Sequence, residues 1–247
     1  MSQRVLILGA TSAIAHAYAR RKAAEGASLV LAGRRADALQ ANAVDLRARG
    51  AAQVDVVEAD LADIASIAEV AASCRANGAF QEVLLAYGIL GDQAQAETDL
   101  ALARKVIDVN FTSAALWLLE LLKGQPATQP LTLLVIGSVA GDRGRKSNFV
   151  YGSAKGGLER FVEGLQHARA ATATRIVLIK PGFVDTPMTD GIAGKGGPLW
   201  ASADKVAGDI AKAAKSGTPE VYTPWFWWFI MAIIRNVPRV IFHRTNI

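Results

Sequence analysis

Four side chains in this sequence combine types and spacings that could move a proton: Asn110, Ser138, Tyr151 and Lys155. Tyr151 and Lys155 bracket the run Tyr-Gly-Ser-Ala-Lys, and residues four apart on a helix share a face. The spacing sets a phenol beside an ammonium, whose charge favours the phenolate and lowers the phenol pKa. A phenol tuned in this way can exchange a proton with a carbonyl or alcohol oxygen. A Tyr and a Lys four apart also arise by chance on solvated helix faces. Ser138, thirteen residues upstream of Tyr151, and Asn110 before it lift the pair above that background.

These side chains need a frame, and the start of the chain supplies its first unit. An apolar run, Arg4-Val5-Leu6-Ile7-Leu8, leads through a small-residue turn at 9–15 into an Ala-rich helical stretch at 16–26. Strand, tight turn and helix make the opening β-turn-α of a dinucleotide-binding fold, with backbone N–H groups at the helix N-terminus facing a pyrophosphate. Gly9, Thr11, Ser12 and Ile14 are its candidate phosphate-loop residues. Further apolar β-branched runs lie near 28–32, 54–58, 82–86, 131–136 and 175–179. Helical stretches near 36–49, 63–76, 100–122 and 149–170 separate them, and a helix near 203–215 leads to a short strand at 220–223. The alternation predicts an α/β fold, a doubly wound parallel sheet of Rossmann type with helices on both faces.

Composition agrees with one domain over 1–247, in which 224–247 form an apolar and basic C-terminal segment. A chain of 247 residues that is 51% hydrophobic can bury a large core. Cys74 is the single cysteine, so no intrachain disulfide forms and a reducing cytoplasm is the expected compartment. The N-terminus enters a strand at once, which argues against a signal peptide. No stretch reaches the roughly 18 apolar residues of a membrane span. The net charge of +5 is dispersed, without the basic stripe of a nucleic-acid binder. No metal is expected.

The end of the second strand bears on cofactor choice. An NAD site places an Asp or Glu about 20 residues past the loop, on the ribose 2′-OH. Arg34 and Arg35 stand there instead, and two guanidinium forks suit a 2′-phosphate. NADP(H) is the expected cofactor; the alternative is that both arginines only flank a solvated helix start.

Taken together, these motifs resemble the short-chain dehydrogenase/reductase family over residues 5 to about 189. The family's Thr-Gly-x-x-x-Gly-x-Gly loop aligns with Leu8-Gly9-Ala10-Thr11-Ser12-Ala13-Ile14-Ala15, where Ala13 and Ala15 replace two glycines. Asp60-Leu61 matches its adenine-contacting pair, although an Asp at a helix start is also an ordinary cap. Leu85-Ala86-Tyr87-Gly88 stands where the family has Asn-Asn-Ala-Gly, keeping only Gly88 and leaving open whether Tyr87 meets the cofactor or fills the core. The segment from Pro181 through Gly182, Val184 and Thr186 resembles the one that brackets the nicotinamide. The resemblance implies hydride transfer with acid/base help. Ser138 would bind the substrate carbonyl and Tyr151 would deliver the proton. Lys155 would hold the nicotinamide ribose and lower the Tyr151 pKa, while Asn110 would position a water linking Lys155 to solvent.

A narrower resemblance joins 149–158, 87–92 and 235–242 to the reductases of decaprenylphosphoryl-2-keto-ribose. It implies a lipid-linked keto-sugar substrate and a flavin-dependent oxidase as partner. Arg143, Arg145 and Lys146, between the catalytic Ser and Tyr, become candidate ligands for the substrate phosphate, with solvated surface charge as the alternative. The ten apolar residues from Trp225 to Ile234, followed by Arg235, Arg239 and Arg244, suit a peripheral contact with the inner face of a membrane or a lipid-tail mouth. Burial in a homo-oligomer interface explains the same run equally well, since it is apolar all round and offers no one clean face. The glycine-rich 191–197 stretch would form a mobile lid over the sugar. Reduction of other ketones, such as 3-ketoacyl thioesters, and a non-catalytic NADP-binding role complete the function classes in play.

Overall fold

The computed structural model describes residues 2–192 and 194–245. Its centre is a parallel sheet of β1 (Arg4–Leu8), β2 (Ser28–Gly33), β3 (Gln53–Glu58), β4 (Glu82–Leu85), β5 (Leu131–Ile136), β6 (Thr174–Pro181) and β9 (Glu220–Thr223). The strand order is β3-β2-β1-β4-β5-β6-β9, and a separate parallel pair joins β7 (Phe183–Asp185) to β8 (Trp200–Ser202). The period-2 alternation of strand side chains divides the core. Val5 and Ile7 face one layer and Leu6 and Leu8 the other, all fully buried. The first layer is covered by α1 (Ala13–Ala24), α2 (Ala36–Ala48) and α8 (Ala203–Ser216). The second lies under α3 (Ile67–Arg75), α6 (Ser113–Leu122) and α7 (Phe149–Arg169). Burial on both faces is why these strands read as continuous apolar runs rather than as alternating ones. Each fully buried Leu or Ile contributes about 1.5–3 kcal/mol.

The chain departs from the expected elements where site geometry is set. The stretch 100–122 is not one helix: α5 (Leu100–Ile107) passes into α6 through a π turn, Asp108–Thr112, which carries Asn110. Such turns re-aim a helical side chain, and no hydrophobic pattern announces them. A short α4 (Gln93–Ala96) precedes this region, capped by Asp92. The tail forms α9 (Trp227–Asn236) and α10 (Arg239–Phe242).

α9 does have a clean inner stripe. Trp227 and Met231 are buried against Val139 and Tyr222, with Phe183, Ile230 and Ile234 alongside. Trp225, Trp228, Phe229 and Ile233 point outward and are exposed, so the outer face is apolar as well. That double apolarity hides the stripe from sequence periodicity. Among the described residues no helix is long and apolar enough to cross a membrane.

Candidate active site

Ligands of open α/β sheets bind beyond the carboxyl ends of the strands, where the strand order reverses. Here the reversal falls between β1 and β4, and a cleft of about 980 Å³ opens there. Gly9 follows β1, Arg34 and Arg35 follow β2, Asp60 and Leu61 follow β3, and Gly88 follows β4. Ser138 follows β5, and Pro181 and Gly182 sit at the end of β6. Apart from Arg143 and Lys146, every candidate catalytic, cofactor-binding and phosphate-binding residue lines this cleft, whereas Trp225, Arg235, Arg239 and Arg244 of the tail do not.

Its cofactor end depends on backbone approach. Gly9 has φ +85°, a conformation that disfavours side chains, and a Cβ there would stand 2.7 Å from Tyr87 Cβ. Ser12 N-caps α1 without any side-chain cap bond, so its hydroxyl and the first-turn N–H groups remain available to an anion. Ala15 is fully buried, in the helix packing where a methyl is tolerated, while Ala13 lines the cleft. Arg34 and Arg35 are exposed on the cleft rim, and Arg35 precedes α2 without capping it through its side chain. Asp60 Oδ1 accepts the Ala62 N–H at 3.0 Å, and buried Leu61 gives its carbonyl to Trp117 Nε1 at 3.0 Å. Tyr87 packs on the second core layer and pairs its hydroxyl with Ser113 at 3.0 Å, so it fills the core while one edge faces the cleft.

The reacting groups meet because two backbones touch. Ser138 is extended and N-caps a 3₁₀ turn, Val139–Gly141, accepting the Ala140 N–H at 3.1 Å. That turn lies directly on α7: a Cβ at Gly152 would stand 2.9 Å from the Ala140 carbonyl, and one at Gly156 3.0 Å from that of Gly141. The helix glycines thus let Ser138 reach Tyr151, with which it hydrogen-bonds.

Lys155 is buried, donates to the Ile136 carbonyl at 2.9 Å, and places its ammonium 6.0 Å from the Tyr151 ring centre. Burial, not the ammonium, governs the phenol. It pushes Tyr151 up to about 12, with Ser138 opposing and Glu159 adding to the rise. This corrects the expectation of a lowered phenol pKa, because desolvation outweighs a cation held at that distance. Burial also brings Lys155 down to about 8, against the pull of the Glu159 carboxylate.

Asn110 is buried, and its amide donates to Ile89 at 2.7 Å and to Val106 at 2.8 Å. Its oxygen accepts the Ile89 N–H at 3.2 Å, which locks the loop after β4. Gly88 separates it from Lys155: a Cβ there would stand 2.5 Å from Asn110 Oδ1 and 3.8 Å from Lys155 Nζ.

At the substrate end the basic loop divides. Arg143 turns away from the cleft. Its guanidinium donates to the carbonyls of Ile234, Arg235 (3.2 Å) and Val237 (2.7 Å), and stacks 3.8 Å from the Phe242 ring centre. Four orphan carbonyls end every helix, and Arg143 satisfies two of those of α9 together with that of the C-cap Val237, which corrects its assignment to the substrate phosphate. Lys146 is exposed and lies off the cleft wall. Arg145 lines the cleft, donates to the Val139 carbonyl at 3.3 Å, and has a buried Nε without a partner.

Trp227, which the sequence placed only within the apolar tail run, lines the cleft; its indole would collide with any side chain at Gly182, and its edge meets Phe183 at 5.4 Å. Nothing in the sequence of that run distinguishes Trp227, which is buried, from Trp225 and Trp228, which are exposed. Of the 191–197 stretch, residue 193 lies outside the described residues; Lys195 pairs with Asp185 at 2.8 Å and with Asp190.

A family model described as short chain dehydrogenase matches residues 3–195. An uncharacterized oxidoreductase of Mycobacterium tuberculosis is 39% identical over 241 residues, which are 97% of this chain and 96% of that protein. The 1-deoxy-11-beta-hydroxypentalenate dehydrogenase of Streptomyces exfoliatus is 32% identical over 232 residues, 87% of this chain and 80% of its own. Among solved structures, an actinorhodin polyketide ketoreductase with NADPH shares the fold at a TM-score of 0.78 and 23% identity, over 89% of this chain and 94% of that one. The phosphate loop, the doubly wound sheet and the Ser-Tyr-Lys set agree with these matches: the chain belongs to the short-chain dehydrogenase/reductase family and is an oxidoreductase acting on alcohol and ketone groups.

Proposed function

We propose that this protein is an NADPH-dependent reductase of a keto group on a polyprenyl-phosphate-linked sugar resembling decaprenylphosphoryl-2-keto-ribose. One observation carries the reading: a single cleft runs from Arg34 and Arg35, past Ser138, Tyr151 and Lys155, to an aromatic wall and Arg145. The arginine pair suits a 2′-phosphate, and the glycine-lined loop with the uncapped start of α1 suits a pyrophosphate. NADPH, when bound, supplies the hydride.

The chain's own residues handle the proton and the charge. Tyr151, held near 12, keeps its phenolic proton at neutral pH and is therefore loaded as a general acid for the carbonyl oxygen. Ser138, fixed by the Ala140 N–H, offers a second hydroxyl to the same oxygen as negative charge develops on it. Lys155 remains largely an ammonium at neutral pH and sets positive charge behind the phenol. A flavin-dependent oxidase acting on the lipid-linked sugar alcohol would supply the ketone. The outward Trp225, Trp228, Phe229 and Ile233, with Arg235, Arg239 and Arg244 nearby, suit the inner face of an anionic membrane, where such a lipid resides.

The test compares NADPH oxidation with a polyprenylphosphoryl 2-keto-pentose and with a 3-ketoacyl thioester. The keto-sugar is expected to turn over faster, and the Tyr151→Phe enzyme to bind NADPH normally while losing roughly 10²–10⁴ of the rate. Preference for the thioester would transfer the site to the alternative ketoreductase reading. A Trp228→Glu variant should lose co-sedimentation with anionic vesicles; loss of an oligomer instead would make the tail an assembly surface.

A further inference from the structure

Behind the reacting face of α7 lies a second set of buried ionisable groups that hydride transfer does not use. Tyr151, Lys155 and Glu159 stand one turn apart along a single stripe of the helix. Glu159 Oε2 lies 3.1 Å from Lys180 Nζ, and Lys180 also pairs with Asp142 Oδ1. Glu220, at the rim, is 3.6 Å from the same ammonium. Tyr222 donates to Asp142 Oδ2 at 2.9 Å, and its ring centre is 4.8 Å from Lys180 Nζ. The Asp142, Glu159 and Lys180 side chains are at most 3% exposed.

Stability alone does not account for such a cluster. Apolar residues of similar volume would hold a fold as well or better, because burying three charges costs more than their attraction readily returns. Position supplies another reason. Asp142 ends the turn that begins at Ser138, Glu159 follows Lys155 by one helical turn, and Lys180 directly precedes Pro181 and Gly182. Each member therefore belongs to one of the three elements that carry reacting or cofactor-facing groups. The charges do not cancel, since one ammonium faces two buried carboxylates. Glu159 Oε1 has no hydrogen-bond partner and presses on Gly141, where a Cβ would stand 2.2 Å away.

We propose that Asp142, Glu159 and Lys180 are positioning residues. The triad holds the Ser138 turn, the Tyr151–Lys155 helix and the strand before Pro181 in one register, and it presents Glu159 as a negative charge behind Lys155. Burial first, and Asp142 and Glu220 in support, push the Glu159 carboxyl up to about 7 against the pull of Lys180. Above that pH its carboxylate faces Lys155 and Tyr151 on its own helix, Lys180 from β6, Asp142 from the turn, and Glu220 and Tyr222 from β9. A carboxylate favours the charged form of a lysine, so neutralising Glu159 should make Lys155 release its proton at lower pH.

The proposal rests on Tyr151 and Lys155 as the reacting pair, not on the substrate's identity, and its first test needs no turnover. Full-length protein carrying [13Cε]lysine is titrated by NMR, with the Lys155 signal assigned through Lys155→Arg. Glu159→Gln should lower the Lys155 midpoint by about one pH unit. It should move the alkaline limb of kcat down equally, with NADPH affinity unchanged. A wild-type midpoint and pH profile in a folded Glu159→Gln protein would overturn the proposal. Should that variant not fold, the triple change Asp142→Asn, Glu159→Leu, Lys180→Met should, because it leaves no member of the triad charged and keeps an acceptor for Tyr222. It should show the same lowered midpoint, and wild-type behaviour there overturns the proposal equally. If Tyr151→Phe keeps carbonyl reduction while Glu159→Gln still shifts Lys155, the acid assignment falls and the triad stands.

Discussion

Two arginine pairs flank opposite ends of one cleft, and their side chains take different paths. Arg34 and Arg35 stay exposed on the rim. Of Arg143 and Arg145, the first leaves the cleft for the carbonyl end of α9, and the second settles half-buried against the Val139 carbonyl. The difference lies in what each pair can reach. The start of α2 presents N–H groups, which a guanidinium cannot serve, so a cation there keeps its donors free. The end of α9 presents orphan carbonyls, and a five-donor fork beside them is captured. Anion-binding capacity is thus set by the neighbouring helix end rather than by charge alone.

Removing the captured side chain should break the contrast most. Arg143→Ala leaves the carbonyls of Arg235 and Val237 without their donor, leaves that of Ile234 with only the long Val237 N–H bond, and uncovers Phe242. At about 1 kcal/mol per lost bond, with a comparable stacking contribution, the tail should lose about 4 kcal/mol of local stability. Hydrogen exchange over α9 and α10 reads this directly, and NADPH affinity should stay as in wild type. Unchanged protection would mean that Arg143 does not hold the tail.

The free pair gives a smaller effect on a different observable. Arg34→Ala with Arg35→Ala should weaken NADPH binding about 30-fold, close to 2 kcal/mol, and leave NADH binding and thermal stability unchanged. Equal losses for both cofactors would show that these arginines shape the loop and do not read a 2′-phosphate.

The sheet, its two helical layers and the Ser-Tyr-Lys set were legible because each rests on local spacing. Strand runs, the Gly9 turn and the i, i+4 pair need no distant contact to declare themselves. Arg143 was not legible: its partner carbonyls lie more than ninety residues on, and no composition marks which helix end lacks a donor. The raised Tyr151 pKa escaped for the same reason, since burial is a property of the assembled core while the neighbouring lysine is visible in the sequence. The Asp142–Glu159–Lys180 triad left a faint trace. Lys180 is a charge at the end of an apolar parallel strand, where only a paired lysine is tolerated.

The smallest expected effect separates the two members of the captured pair. Arg145 is partly buried and keeps a buried Nε without a partner, and burial holds its pKa below the usual guanidinium value. A cation in that state is poorly satisfied by the protein and would gain from an anionic ligand more than a solvated one would. Arg145→Met keeps the apolar stem, removes the unsatisfied donor, and should leave thermal stability level or slightly higher. It should raise KM for a phosphorylated lipid-sugar about fivefold, near 1 kcal/mol, and leave KM for an uncharged ketone unchanged. An equal rise for both substrates would show that Arg145 shapes the Ser138 turn through Val139. The cleft would then hold no side chain of this loop that reads phosphate.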